Sequence, residues 1–158
     1  MEIKLINPLK LFSRNRLDLI VKYLFANEVL ERDINSCSVD IYKDLYIRHI
    51  LMRTKGVTSS LESNQKINVD EYCTEFEKLI KDIKQNGYNI QNPVEVTNNN
   101  LIANGAHRIA VCALFGQQIA IKRVSCGHSW DFNWFCENGF NLEDKQRILK
   151  GYIDLKAK

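Results

Sequence analysis

The chain has 158 residues, 45% apolar and 26% charged, a balance that builds a single folded core and excludes a disordered or low-complexity protein. Lys and Arg number 22 against 19 Asp and Glu, a net charge of +3, too mild to impose a nucleic-acid or membrane partner, so any anion site must come from local placement. The opening MEIKLINPLK lacks the pattern of a signal peptide, and the most apolar windows, 17–26 and 109–115, fall short of the roughly 20 residues that cross a bilayer. Cys37, Cys73, Cys112, Cys126 and Cys136 are scattered without a Cys-x-x-Cys pair, which reads as reduced thiols and makes the cytoplasm the expected location.

In chain order, the apolar positions Leu17, Ile20, Val21, Leu24 and Phe25 predict a first helix with Ser13 as its cap, and Asp40 opens a second that carries Leu45, Ile50 and Leu51. Residues 57–66 have little periodicity and are expected to form an exposed loop. Asn68 and Glu71 have the spacing of a capping box, with Ile67 and Tyr72 as the hydrophobic staple. The helix they open buries Phe76, Leu79, Ile80 and Ile83 and stops at Gly87. Pro93-Val94-Glu95-Val96 and Leu101-Ile102-Ala103, either side of Asn98-Asn99-Asn100, predict a hairpin. A short helix from Ala106, a β-branched strand over 119–124 and two helices over 130–138 and 141–155 complete the pattern, with Asn141 capping the last.

The stretch Leu101-Ile-Ala-Asn-Gly-Ala-His-Arg-Ile-Ala-Val-Cys-Ala-Leu-Phe-Gly116 joins the end of a strand to the start of a helix through Asn104-Gly105. A helix N-terminus offers unpaired N–H groups and a partial positive charge, so Gly105 permits close approach and the amides of Ala106, His107 and Arg108 can face an anion. Arg108 adds a planar donor fork, and His107 a second donor or proton carrier. Phosphate is the expected guest.

This turn resembles the signature of the ParB/sulfiredoxin superfamily, in which Gly-x-His-Arg or Gly-x-x-Arg at a helix start holds nucleotide phosphates; the resemblance covers about 57–125. It implies an α+β fold, a small mixed sheet flanked by helices, here extended by helices at both ends into one domain over 1–158. Sulfiredoxins carry a reactive Cys where this chain has Ala106, so sulfinic-acid reduction lacks its nucleophile. The chain has little room for the helix-turn-helix domain of chromosome-partitioning ParB proteins, and a nucleic-acid partner is not expected. Free-serine kinases of the superfamily have an Asp-Gly-His-His-Arg turn and an upstream catalytic Glu. Asn104 and Ala106 replace the Asp and first His, while His107 and Arg108 match and Glu62 lies in the corresponding upstream stretch.

The resemblance therefore implies a kinase taking ATP or another nucleotide with Mg²⁺, Glu62 receiving the acceptor's proton, His107 and Arg108 neutralising phosphoryl charge, and Asn104 as the weakened metal ligand. Residues 16–26 and 134–140 look like segments of small ParB-like proteins from surface-polysaccharide gene clusters, which implies a sugar-derived acceptor. The alternatives are a non-catalytic nucleotide-responsive module and a ParB-like nucleic-acid-binding protein. Arg14 and Arg16, and His49 with Arg53 one turn apart, are expected on solvated faces. Cys126, His128 and Cys136 match no usual zinc spacing. Trp130, Phe132, Trp134 and Phe135 are expected to serve core or homodimer packing, with base or sugar stacking as the other use.

Overall fold

The computed structural model describes residues 3–35, 40–61 and 65–158; Cys37 and Glu62 lie outside them. The elements in chain order are β1 (Lys4–Ile6), a 3-10 turn (Pro8–Leu11), α1 (Asp18–Ile34), α2 (Ile41–Thr54), β2 (Thr58–Ser59), β3 (Lys66–Ile67), α3 (Val69–Asn86), β4 (Val94–Val96), β5 (Ile102–Asn104), α4 (Ala106–Leu114), β6 (Ile119–Arg123), α5 (Phe132–Glu137) and α6 (Leu142–Lys156). The α+β class is as expected: six helices among the described residues and a mixed sheet in the order β1-β6-β4-β5, with β2 and β3 as a separate ribbon. β4 runs parallel to β6, while β1 with β6 and β5 with β4 are antiparallel.

Local chemistry explains most boundaries. Asn68 and Glu71 form the expected capping box on α3, and Asn141 with Asp144 form a second on α6. The hairpin predicted from its polar tip is β4–β5, with a register shift at Glu95/Val96. Two helix starts differ from expectation for one shared reason. The backbone of Asn15 and Leu17 pairs with Trp130, through Leu17 N–H to Trp130 C=O at 3.0 Å and Trp130 N–H to Asn15 C=O at 2.9 Å. Backbone committed to that bridge cannot enter a helix, so α1 begins at Asp18 instead of after Ser13, and α5 at Phe132 instead of Trp130.

The expected loop over 57–66 carries β2, which pairs with β3 through Thr58↔Ile67 and Ser59↔Lys66. β1 went unpredicted, since three residues give too little alternation to register. The core draws on all six helices and on β4, β5 and β6, with α1 central: Leu19, Ile20, Val21, Phe25 and Ala26 are buried. Arg48 of α2 ties α6 to this frame through a two-pronged pair with Asp144, at 2.5 and 2.9 Å. No helix among the described residues is long and apolar enough to cross a membrane.

Candidate functional site

The turn singled out in the sequence does sit at a cavity. Gly105 has φ +97°, and a Cβ there would lie 2.5 Å from Val94 Cγ1, so only glycine lets β5 turn into α4 this close to β4. Gly105 at the N-cap has no side chain to cap α4, and among the described residues the first amides of the helix have no side-chain acceptor. Asn104, Gly105, Ala106 and His107 line a cavity of about 430 Å³ together with Arg16, Lys22, Arg53, Tyr72, His128 and Trp130. That volume is within the range of sites for small ligands. Gly127 helps close it: a Cβ there would meet the Leu101 backbone at 2.9 Å, so glycine lets the strap carrying His128 and Trp130 lie against β5.

The charged side chains on the described part of the lining are Arg16, Lys22 and Arg53, all cations. Arg16 is 2% exposed and fully engaged, with Nε and Nη2 on Asp18 at 2.7 and 2.8 Å and Nη1 on the Ile102 carbonyl at 2.8 Å. Lys22, wholly buried, donates to the same carboxylate at 2.9 Å. Burial alone would raise the Asp18 pKa, yet Lys22 and Arg16 hold it well below the usual carboxylate range. The Lys22 ammonium is pushed down to about 8, chiefly by burial, against the pull of Asp18. Two cations sharing one carboxylate, with Arg53 beyond them, leave an excess of positive charge facing the start of α4.

The residues foreseen as site residues divide. His107 lines the cavity, but its ring is sunk among Phe76, Tyr72 and Tyr46, with centroids 4.6, 5.6 and 5.9 Å away, and Nε2 shares a 2.8 Å hydrogen bond with Tyr46 Oη. Burial, reinforced by Lys22 and Arg53, holds its pKa well below 6.5, so the ring is neutral and brings no charge to an anion. Arg108 turns away from the cavity: Nη1 donates to the carbonyls of Asn92 at 2.5 Å and Pro93 at 3.4 Å. Its fork braces the approach to β4, and the cations at the cavity come from α2 and from the start of α1 instead. Glu62 lies outside the described residues, next in the chain to Leu61, which lines the cavity.

Asn104 lines the cavity, while Glu95, its cross-strand partner on β4, is not part of the described lining and pairs with Lys122 at 3.2 Å. Among the described residues no group of three or more His, Cys, Asp or Glu is gathered to hold a metal, the stretch with Cys126, His128 and Cys136 included. A hard divalent cation needs charged oxygens, so the three cations of the described lining do not fit Mg²⁺ held by these residues. The same lining does fit nucleotide phosphates.

Arg16, expected on a solvated face, is buried, and so is His49, fully enclosed against Phe135, Trp134 and Trp130. Asp18 and Lys22 were missed as site residues, although a signal existed: with Phe25 and Val29 they share one helical face, and two charges on an apolar face need each other. No protein-family model, curated protein or solved structure matches the chain.

Proposed function

We propose that the protein binds the phosphates of a nucleotide in this cavity and transfers a phosphoryl group to a small hydroxyl acceptor, a sugar intermediate being the favoured class. The observation that carries the reading is the convergence of Arg16, Lys22 and Arg53 on the open N-terminus of α4. Such an arrangement stabilises phosphate oxygens through fixed amide dipoles and buried cations, which cost no reorganisation when charge shifts during transfer. The ParB/sulfiredoxin-like fold is part of the proposal, supported by the hairpin running through Asn104-Gly105 into α4. The free thiols of Cys73, Cys112, Cys126 and Cys136 support a reducing compartment, the cytoplasm.

In this reading the amides of Ala106 and His107 hold the phosphate chain, buried Lys22 adds its positive charge from beneath the cavity wall, and neutral His107 serves as a polar wall. The acceptor oxygen attacks the terminal phosphorus, the bond to the bridging oxygen breaks with its electron pair on the leaving nucleotide, and the acceptor's proton passes to Glu62. Calorimetry with ATP, ADP and CTP on the wild type and Lys22→Met tests binding: affinity is expected to fall at least tenfold in the variant. Phosphoryl transfer to sugars, followed by phosphorus NMR, tests turnover, which Glu62→Gln should abolish while leaving nucleotide affinity within about threefold. Absence of nucleotide binding by the wild type refutes the reading.

One observation favours the second reading, a nucleotide-responsive module without turnover: the described cavity lining holds no carboxylate to act as base. Binding without transfer to any acceptor would select it. Binding of nucleic acid draws no support from cations gathered in a cavity and would show as affinity falling steeply with salt.

A further inference from the structure

The three cations are not equivalent. Arg16 spends its guanidinium on Asp18 and the Ile102 carbonyl, and Lys22 shares that carboxylate. Arg53, in the last turn of α2, has no carboxylate partner among the described residues. Its Nη2 donates to Tyr72 Oη at a long 3.4 Å, its Nε is buried with no hydrogen-bond partner, and its Cζ stands 5.4 Å from the centre of the Trp130 ring. Arg16 stands over the same ring at 4.8 Å. An aromatic face orients a guanidinium but leaves its in-plane N–H donors unspent, and those donors suit a planar pair of oxyanion oxygens.

Arg53 is half-buried at the wall of the cavity, with Nε shut off and unpaired, so an oxyanion there would complete its donors. Against Asp18, the three cations leave two positive charges unbalanced among the described residues, and Arg53 stands apart from the Arg16–Asp18–Lys22 cluster as a separate place for oxyanion oxygens. Resting on the reading that the cavity takes phosphate, we propose that Arg53 is a ligand-binding residue which, seated on Trp130, forms a second oxyanion subsite. The cavity thereby selects a diphosphate group over a single phosphate. Arg16 is then a positioning residue, keeping Trp130 and β5 in register beneath that subsite.

The test uses the full chain with inorganic pyrophosphate and orthophosphate as probes, binding measured by calorimetry for the wild type, Arg53→Met, Arg53→Lys and Lys22→Met. Arg53→Met is expected to weaken pyrophosphate at least tenfold and orthophosphate less than threefold, with Arg53→Lys between wild type and Met, because it restores the charge without the fork. Thermal melts confirm that each variant is folded. A second readout comes from Trp134→Phe, which leaves Trp130 as the only tryptophan. Pyrophosphate should shift its emission, and should not do so when Arg53→Met is added. If Arg53→Met binds pyrophosphate like the wild type while Lys22→Met loses it, the subsite is refuted and the phosphate reading stands. Equal weakening of both probes by Arg53→Met refutes the selection of diphosphate. If the wild type binds neither probe, both proposals fall.

Discussion

His49 is the residue whose placement most departs from its sequence pattern. One turn before Arg53 on α2, it is stacked on Phe135 at 5.5 Å and edged by Trp134 at 5.3 Å, and neither ring nitrogen has a hydrogen-bond partner among the described residues. An unsatisfied buried polar group costs stability that a ring of similar shape without polar atoms avoids. His49→Phe is therefore expected to raise the melting temperature at neutral pH, checked by calorimetric melting. Burial, with Lys22 next, lowers the His49 pKa well below 6.5, and His107 is lowered likewise, burial first. The unfolded chain then takes up protons below pH 6.5 that the folded chain refuses, so stability is full above that pH and falls as pH drops. His49→Phe should make the acid-side loss shallower, which denaturant titrations at pH 7 and pH 5.5 would reveal.

Lys22 gives the opposite dependence for binding. With its pKa at about 8, it loses its charge as pH rises through that value, while Asp18, held well below the usual carboxylate range, stays ionised. Anion affinity should decline between pH 7 and pH 9, more steeply in the wild type than in Lys22→Arg. Pyrophosphate calorimetry across that range checks it; an affinity unchanged with pH would show that Lys22 does not face the anion.

Among the elements, the β5–α4 turn is the most constrained. At φ +97°, with Val94 2.5 Å from where a Cβ would sit, Gly105→Ala meets both backbone strain and a clash. It is expected to destabilise by more than about 1 kcal/mol and to weaken phosphate binding, since β5 must shift relative to α4; urea unfolding and calorimetry on the same variant measure both. The capping boxes of α3 and α6 were readable in the sequence because they are local, needing only Asn and an acidic residue three positions on. Their removal, as in Asn68→Ala, should cost about 1 kcal/mol. The starts of α1 and α5 were not readable, because the bridge of Asn15 and Leu17 to Trp130 joins segments more than a hundred residues apart.

Across the whole molecule, the buried triad of Arg16, Asp18 and Lys22 couples stability to the site. Arg16 links α1 to β5 through the Ile102 carbonyl, and Asp18 is fully enclosed. Breaking a buried pair leaves an uncompensated charge, so Arg16→Met is expected to destabilise by about 3–5 kcal/mol, measured by chemical denaturation. Joint replacement of Arg16, Asp18 and Lys22 by apolar residues should recover much of that loss while abolishing anion binding. The amino-acid sequence by itself determined the α+β class, the capped helices, the β4–β5 hairpin and the Gly105 turn, because each rests on contacts between near neighbours or on the periodicity of one element. Only the tertiary structure decided which cations meet that turn. Arg108, adjacent in sequence, is drawn off to the Asn92 and Pro93 carbonyls, whereas Arg16, Lys22 and Arg53 arrive from α2 and the start of α1. A buried charge is placed by the packing of distant elements around it, and no local pattern records that packing.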